Sequence, residues 1–193
     1  MPTAVFIDAG YLDKVLYFDH ANVRIDYRLL THELATPDSL FRAYYYHCMP
    51  YQANPPSEQE RQRYASMRRF VGALQKIPRF EIRLGHLARV GVQQDGRPIF
   101  VQKRVDCMVG VDMALLAGKR AITNLALVTG DSDLIPAVEA VKREGVIVTL
   151  WHGRENTSSR PSRDLVLECD ERRLLDAELV ERIRRDRDKP SNV

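Results

Sequence analysis

Two short apolar runs that each end in acid constrain the fold of this chain most tightly. Ala4 to Ile7 is stopped by Asp8 and Gly10, and Leu125 to Val128 is stopped by Gly130 and Asp131. Neither run alternates apolar with polar residues. That is the pattern of a strand covered on both faces, and so of a parallel sheet between helices. Arg42 to Cys48 and Phe80 to Leu84 lie between them and Val146 to Trp151 follows, each of strand length and rich in strand-forming residues. Helical patterns fill the gaps. The alternation predicts an α/β fold, a three-layer α/β/α sandwich around a central, mainly parallel sheet, with functional groups at the carboxyl ends of the strands.

Local signals refine this. Ser57 to Glu60 fits a capping box after Pro55 and Pro56, opening a helix in which Tyr64, Met67, Val71 and Leu74 recur at helical spacing while Arg61, Arg63, Arg68 and Arg69 lie mostly on its outer faces. Asp95-Gly96 predicts a turn joining extended segments on either side, a β-hairpin projecting from the sheet edge. Further helices are expected over Tyr11 to His20, Val105 to Ala117, Asp133 to Glu144 and Ala177 to Arg185, with Gly145 ending the third and Thr31 or Asp38 capping a neighbour of the first. Asn156 to Ser162 is a loop.

At 193 residues, 45% of them apolar, one sizeable core is expected: a single domain over residues 1–177, then a helix end and flexible tail over 178–193. No apolar run is long enough to span a bilayer, and MPTAVFIDAG has no basic segment ahead of its apolar stretch, so the expected location is cytoplasmic, with no membrane partner. Cys48, Cys107 and Cys169 are odd in number and far apart, against a disulfide framework or a cysteine zinc site. A net charge of +3 is only mildly basic and decides nothing. Self-association into a homo-oligomer is compatible with the pattern.

The acids carry the chemistry. If the two leading strands are neighbours, Asp8, Asp131 and Asp133 converge at one sheet end. Asp is also a preferred N-cap, and since Pro136 must sit in a first turn, Ser132 or Asp133 is placed to cap the next helix. In the helix from Val105, the seam Val105, Met108, Val109, Leu115, Leu116 passes through Asp112, putting a carboxylate in an apolar stripe. Such a group is paired, protonated or bound to a cation; Lys103 and Arg104 are the candidate partners if it is paired. Asp106 lies about 240° from Asp112 on a helix wheel, so capping is the role assigned to it. Hard oxygen donors, with no His or Cys at metal spacing, point to Mg²⁺ or Mn²⁺ and to phosphate-ester hydrolysis.

VFIDAGYL (Val5 to Leu12), QKRVDCMVGVDM (Gln102 to Met113) and LVTGDSDLIPAVEAVKREGVIV (Leu127 to Val148), in that order, resemble the NYN domain, specifically its LabA-like (DUF88) branch, a relative of the PIN-domain nucleases. The resemblance runs from Thr3 to about Ala177. It implies a PIN-like, Rossmann-like sandwich and a metal-dependent ribonuclease acting on single-stranded or structured RNA. The family's acidic positions fall on Asp8, Asp112, Asp131 and Asp133 as metal-holding and catalytic residues, with Asp106, Ser132 and Lys103 in support. Arg104, the arginines of Gln59 to Arg69 and Tyr11 are candidate RNA contacts. Tyr11 stands where many members carry Asn, and its ring is suited either to stacking on a base or to packing over the first helix.

Two alternatives accompany this expectation. A haloacid-dehalogenase-like phosphatase needs a second Asp two residues after its nucleophile, and Asp8 is followed by Ala9 and Gly10. A non-catalytic RNA-binding or protein-interaction module would keep the acids for structure alone.

Overall fold

The structure, a computed structural model, describes residues 1–92 and 98–185. Seven strands among the described residues form one sheet in the order β4-β3-β2-β1-β5-β6-β7, built from β1 (Pro2–Asp8), β2 (Ser39–Cys48), β3 (Phe80–Val92), β4 (Pro98–Lys103), β5 (Asn124–Val128), β6 (Ile147–His152) and β7 (Glu171–Leu174). All pairings are parallel except β3 with β4. The two acid-ended runs are therefore neighbours at the centre, with Ile7 opposite Val128. The expected hairpin is present as the antiparallel β3–β4 pair; its Asp95-Gly96 turn lies outside the described residues.

Because successive strand residues point to opposite faces, β1 feeds two cores at once. Val5 and Ile7 join one core with α1 (Ala9–Asp19), α2 (Tyr27–Ala35), the end of α3 (Glu58–Leu74) and α7 (Ala177–Arg182). Ala4 and Phe6 join the other, with α4 (Val105–Gly118), α5 (Ile135–Arg143) and α6 (Arg163–Glu168). Burying both faces is what makes these strands uniformly apolar, and it yields the expected three-layer sandwich.

The capping box at Ser57 and Glu60 is complete. Gly145 at φ +80° ends α5 in the left-handed region that glycine enters without strain. Three elements escaped the sequence pattern. Helix α2 is capped by Asp26, whose side chain accepts from the N–H groups of Arg28 and Leu29. Thr31 instead sits mid-helix, and Asp38 binds the chain's amino terminus and Thr3. Helix α6 is only six residues long, and all four residues of edge strand β7 are exposed, so neither carries an apolar signature. Leu179, Val180 and Ile183 are buried, tying α7 into the same core, while the tail from residue 186 lies outside the described residues. No described helix is long and apolar enough to cross a membrane.

Candidate functional site

Asp8 closes β1 and caps α1: its Oδ1 accepts from the N–H groups of Gly10 (2.9 Å) and Tyr11 (3.3 Å). Asp131 follows β5 and caps the short 3-10 turn Ser132–Leu134, its Oδ1 accepting from Asp133 N–H at 3.0 Å. Neither Ser132 nor Asp133 caps the helix that holds Pro136 in its first turn: α5 begins after Leu134 with no side-chain cap, because a 3-10 turn capped by Asp131 precedes it. In both capping acids one oxygen holds the backbone, and the other has no partner among the described residues. Capping and ligand binding are therefore compatible, atom by atom.

Asp106 does not cap α4. The N-cap is Arg104, in left-handed conformation with no side-chain cap bond, which leaves Asp106 exposed in the first turn. There it meets the other acids. Burial raises Asp106, and the charges of Asp131 and Asp133 raise it further. Asp8 is likewise raised by burial; the N–H bonds of Tyr11 and Gly10 oppose the shift, and the charges of Asp106 and Asp131 add to it. Asp13, one and a half turns along α1, is also raised, by burial and by Asp8. The spacing to Asp8 was the only sequence sign of Asp13, and five residues on a helix implies no shared face. The Cys48 thiol at the end of β2 is raised by burial and feels both Asp106 and Asp8, so the tip of β2 also borders the cleft.

Asp112 is elsewhere. Its Oδ2 accepts from the Tyr46 hydroxyl (2.9 Å) and from Arg83 Nε (3.0 Å), so the acid in the apolar stripe is paired by a strand arginine and a buried phenol. Neither Lys103 nor Arg104 serves it; both are exposed, without an ion pair among the described residues. Of the expected acids, Asp8, Asp131 and Asp133 lie within reach of Asp106 or of one another, whereas Asp112 is paired because β3 reaches α4 with a cation that the sequence could not place. Removing the carboxylate in Asp112→Ala leaves the fully buried Tyr46 hydroxyl unpaired, with an expected destabilisation of about 1–3 kcal/mol in a denaturant melt. Any stabilisation by Mn²⁺ should persist in that variant.

Tyr11 is 7% exposed, so it cannot stack on a base. Its hydroxyl donates to Ser159 C=O (2.9 Å) and accepts from Gly153 N–H (3.0 Å), pinning the loop after β6 to α1. Burial pushes this phenol up to about 12. The ring fills the space over Gly130, where a Cβ would come within 2.3 Å of Tyr11 Cε2; with Tyr at position 11, only glycine fits there. Asp19 secures the same loop from the far end of α1. Burial would raise its carboxyl, but hydrogen bonds from Ser159 Oγ, Arg154 N–H and Thr157 Oγ1 outweigh that and hold it low. The acidic turn is thus braced from behind, with Ser162 N–H donating to Gly130 C=O at 2.9 Å.

The donor set is carboxylate oxygen throughout, neighbouring acids raise both Asp8 and Asp106, and no described cation pairs with them. These are the features of a hard divalent-ion site. Among the described residues no three His, Cys, Asp or Glu side chains close into a cage of their own. Mg²⁺ commonly binds through one or two carboxylates, keeping water and substrate phosphate as its other ligands, so this open arrangement suits it better than zinc or calcium. A separate cavity of about 260 Å³ lies at the amino end of the sheet, among Thr3, Asn124 and Ile147, away from the acids.

Fold and site together define a layered α/β protein with an acidic cleft at the carboxyl end of its central strands. The chain belongs to the NYN domain family, whose profile matches residues 2–174. Among curated proteins no sequence matches it. A crystal structure of a protein of unknown function from Vibrio parahaemolyticus is similar over 92% of this chain and 94% of its own, at TM-score 0.59 and 18% identity, a likeness of fold.

Proposed function

We propose that the protein is a metal-dependent ribonuclease of the LabA-like, PIN-related kind, with Asp8, Asp106, Asp131 and Asp133 holding Mg²⁺ or Mn²⁺. The observation that carries this is the gathering of Asp8, Asp106 and Asp131: the charges of Asp106 and Asp131 raise Asp8, that of Asp131 raises Asp106, and no cation among the described residues pairs with them. NYN domains are in general nucleases, which supports the same reading. When bound, a divalent ion supplies charge neutralisation and water activation for phosphodiester hydrolysis. The protein's own part is to present carboxylate oxygens in fixed directions: Oδ1 of Asp8 is locked to the start of α1 and Oδ1 of Asp131 to the 3-10 turn, which leaves the other oxygen of each available for a ligand. Ser132 stands exposed between two of these acids, and Lys103 and Arg104 stand free at the start of α4, suited to phosphate oxygens.

The openness of the carboxylate set favours a second reading, a non-catalytic RNA-binding module. Labelled RNA incubated with and without Mn²⁺, beside Asp106→Asn, separates the two. Metal-dependent cleavage lost in the variant is the expected result; cleavage by parent and variant alike marks a contaminant, and binding without cleavage leaves the module. Since ligands must be ionised and Asp8 and Asp106 are both raised, Mn²⁺ affinity is expected to climb as pH passes upward through and beyond the ordinary carboxylate range. A pH series of metal titrations would check this.

A further inference from the structure

The first half of α3 stands clear of the core; of its seventeen residues only Val71 and Leu74, near its end, are buried. Between this half and the segment after β2 runs an open groove of about 700 Å³, lined by Pro50, Gln59, Gln62, Arg63, Met67 and Phe70. Pro50, Met67 and Phe70 give it an apolar floor. The amides of Gln59 and Gln62 carry both donors and acceptors; Gln62 Nε2 donates to Glu58 at 3.0 Å, which leaves its carbonyl free. The Arg63 guanidinium has no ion pair or hydrogen bond among the described residues, whereas Arg61 is held by Glu58. The acids of the first turn are also engaged, Glu58 by Arg61 and Glu60 by the capping box.

Next in sequence to the groove's Pro50, Tyr51 meets Phe100 of β4, ring centroids 4.8 Å apart, and Phe100 is 37% exposed. Pro50 and Tyr51 come four and five residues after Tyr46, which lies opposite Asp8 in the β1–β2 pairing, so a short run of chain joins the acids to the groove. An apolar floor, amide edges, a guanidinium whose charge reaches Glu60 but which makes no hydrogen bond or ion pair among the described residues, and a neighbouring aromatic pair match a nucleobase with its phosphate. A duplex hides base faces in its stack and base edges in its pairs, so only an unpaired strand presents both. We propose that the groove between α3 and the 49–57 segment, with the neighbouring Tyr51 and Phe100, is a base-binding subsite for single-stranded RNA whose backbone crosses the acidic cleft.

The proposal rests on the nuclease reading for its direction, but its test does not. Binding of a fluorescent oligouridylate to the full chain is measured by anisotropy in EDTA, beside a blunt RNA duplex and the matching DNA strand, with folding checked by circular dichroism. Tyr51→Ala is expected to weaken single-strand binding roughly 5- to 100-fold, and Tyr51→Phe to restore it. Arg63→Ala is expected to lower the slope of log K against log salt by about 0.7. A DNA strand bound as well as RNA keeps the subsite and removes its preference for RNA. Unchanged affinity in both alanine variants, a duplex held as tightly as the single strand, or no RNA binding by the parent overturns the subsite. Groove-dependent binding with no cleavage under any metal keeps the subsite and discards the nuclease. Cleavage lost in Asp106→Asn but untouched by the groove variants does the reverse.

Discussion

Asp8→Asn is expected to abolish metal-dependent RNA cleavage while making the metal-free protein more stable. Loss of one carboxylate from the site removes several kcal/mol of charge stabilisation, and at about 1.4 kcal/mol per tenfold this is a loss of at least about 100-fold in rate. The stability gain follows from linkage. Burial, together with Asp106 and Asp131, raises the Asp8 carboxyl against the N–H bonds that oppose it. A carboxyl raised on folding holds its proton more tightly in the folded chain than in the unfolded one. Its penalty is therefore absent below the ordinary carboxylate range, grows as pH climbs through that range toward the raised value, and is fully present above it. Asparagine removes the charge and remains a good N-cap for Gly10 and Tyr11. Each kcal/mol relieved raises Tm by about 2–4 °C in a chain of this size. Thermal melts in EDTA at neutral pH and near pH 4 should show the gain shrinking with acidity, and Mn²⁺ should stabilise the parent more than the variant. A variant less stable than the parent in EDTA at neutral pH would mean the acids are not strained against one another.

Tyr11→Ala is expected to be the most destabilising substitution around the site, by about 3–5 kcal/mol, without touching an acid. The ring is buried over Gly130, a residue whose lack of a side chain is matched to it, so deletion opens a cavity that the turn cannot refill. Tyr11→Phe keeps the ring but leaves Gly153 N–H and Ser159 C=O without their partner, an expected loss of about 1–3 kcal/mol for each group that water cannot reach. Urea melts of the two variants would rank them. Faster proteolysis of the 153–159 loop in both would show that Tyr11 acts by tethering it. Equal stability of Tyr11→Phe and parent would mean the hydroxyl's two bonds carry no weight.

These two positions show how far the chain could be read unaided. Asp8 and Asp131 were legible because a parallel sheet buries its central strands on both faces, so each apolar run ends where solvent and the site begin. The capping box at Ser57 and the glycine stop at position 145 were legible for a similar reason: they satisfy backbone groups a few residues away, and the pattern is local. The partners of Asp112 were not legible because a helical wheel shows that an acid lies in an apolar stripe but not which strand brings a cation to it. Its partner Arg83 is 29 residues distant along the chain. Asp106 was undervalued for the complementary reason, since its neighbours Asp131 and Asp133 come from another strand end.

Periodicity and strand-end acids, properties of neighbouring residues, were enough to determine the sandwich, its parallel centre and the sheet end that carries Asp8 and Asp131. Only the tertiary structure decided which acids meet, that Tyr11 faces inward, and that α3 leaves an open groove against Pro50. Those outcomes depend on contacts between segments far apart in sequence, where pairing register and helix docking, rather than local preference, set each side chain's neighbours.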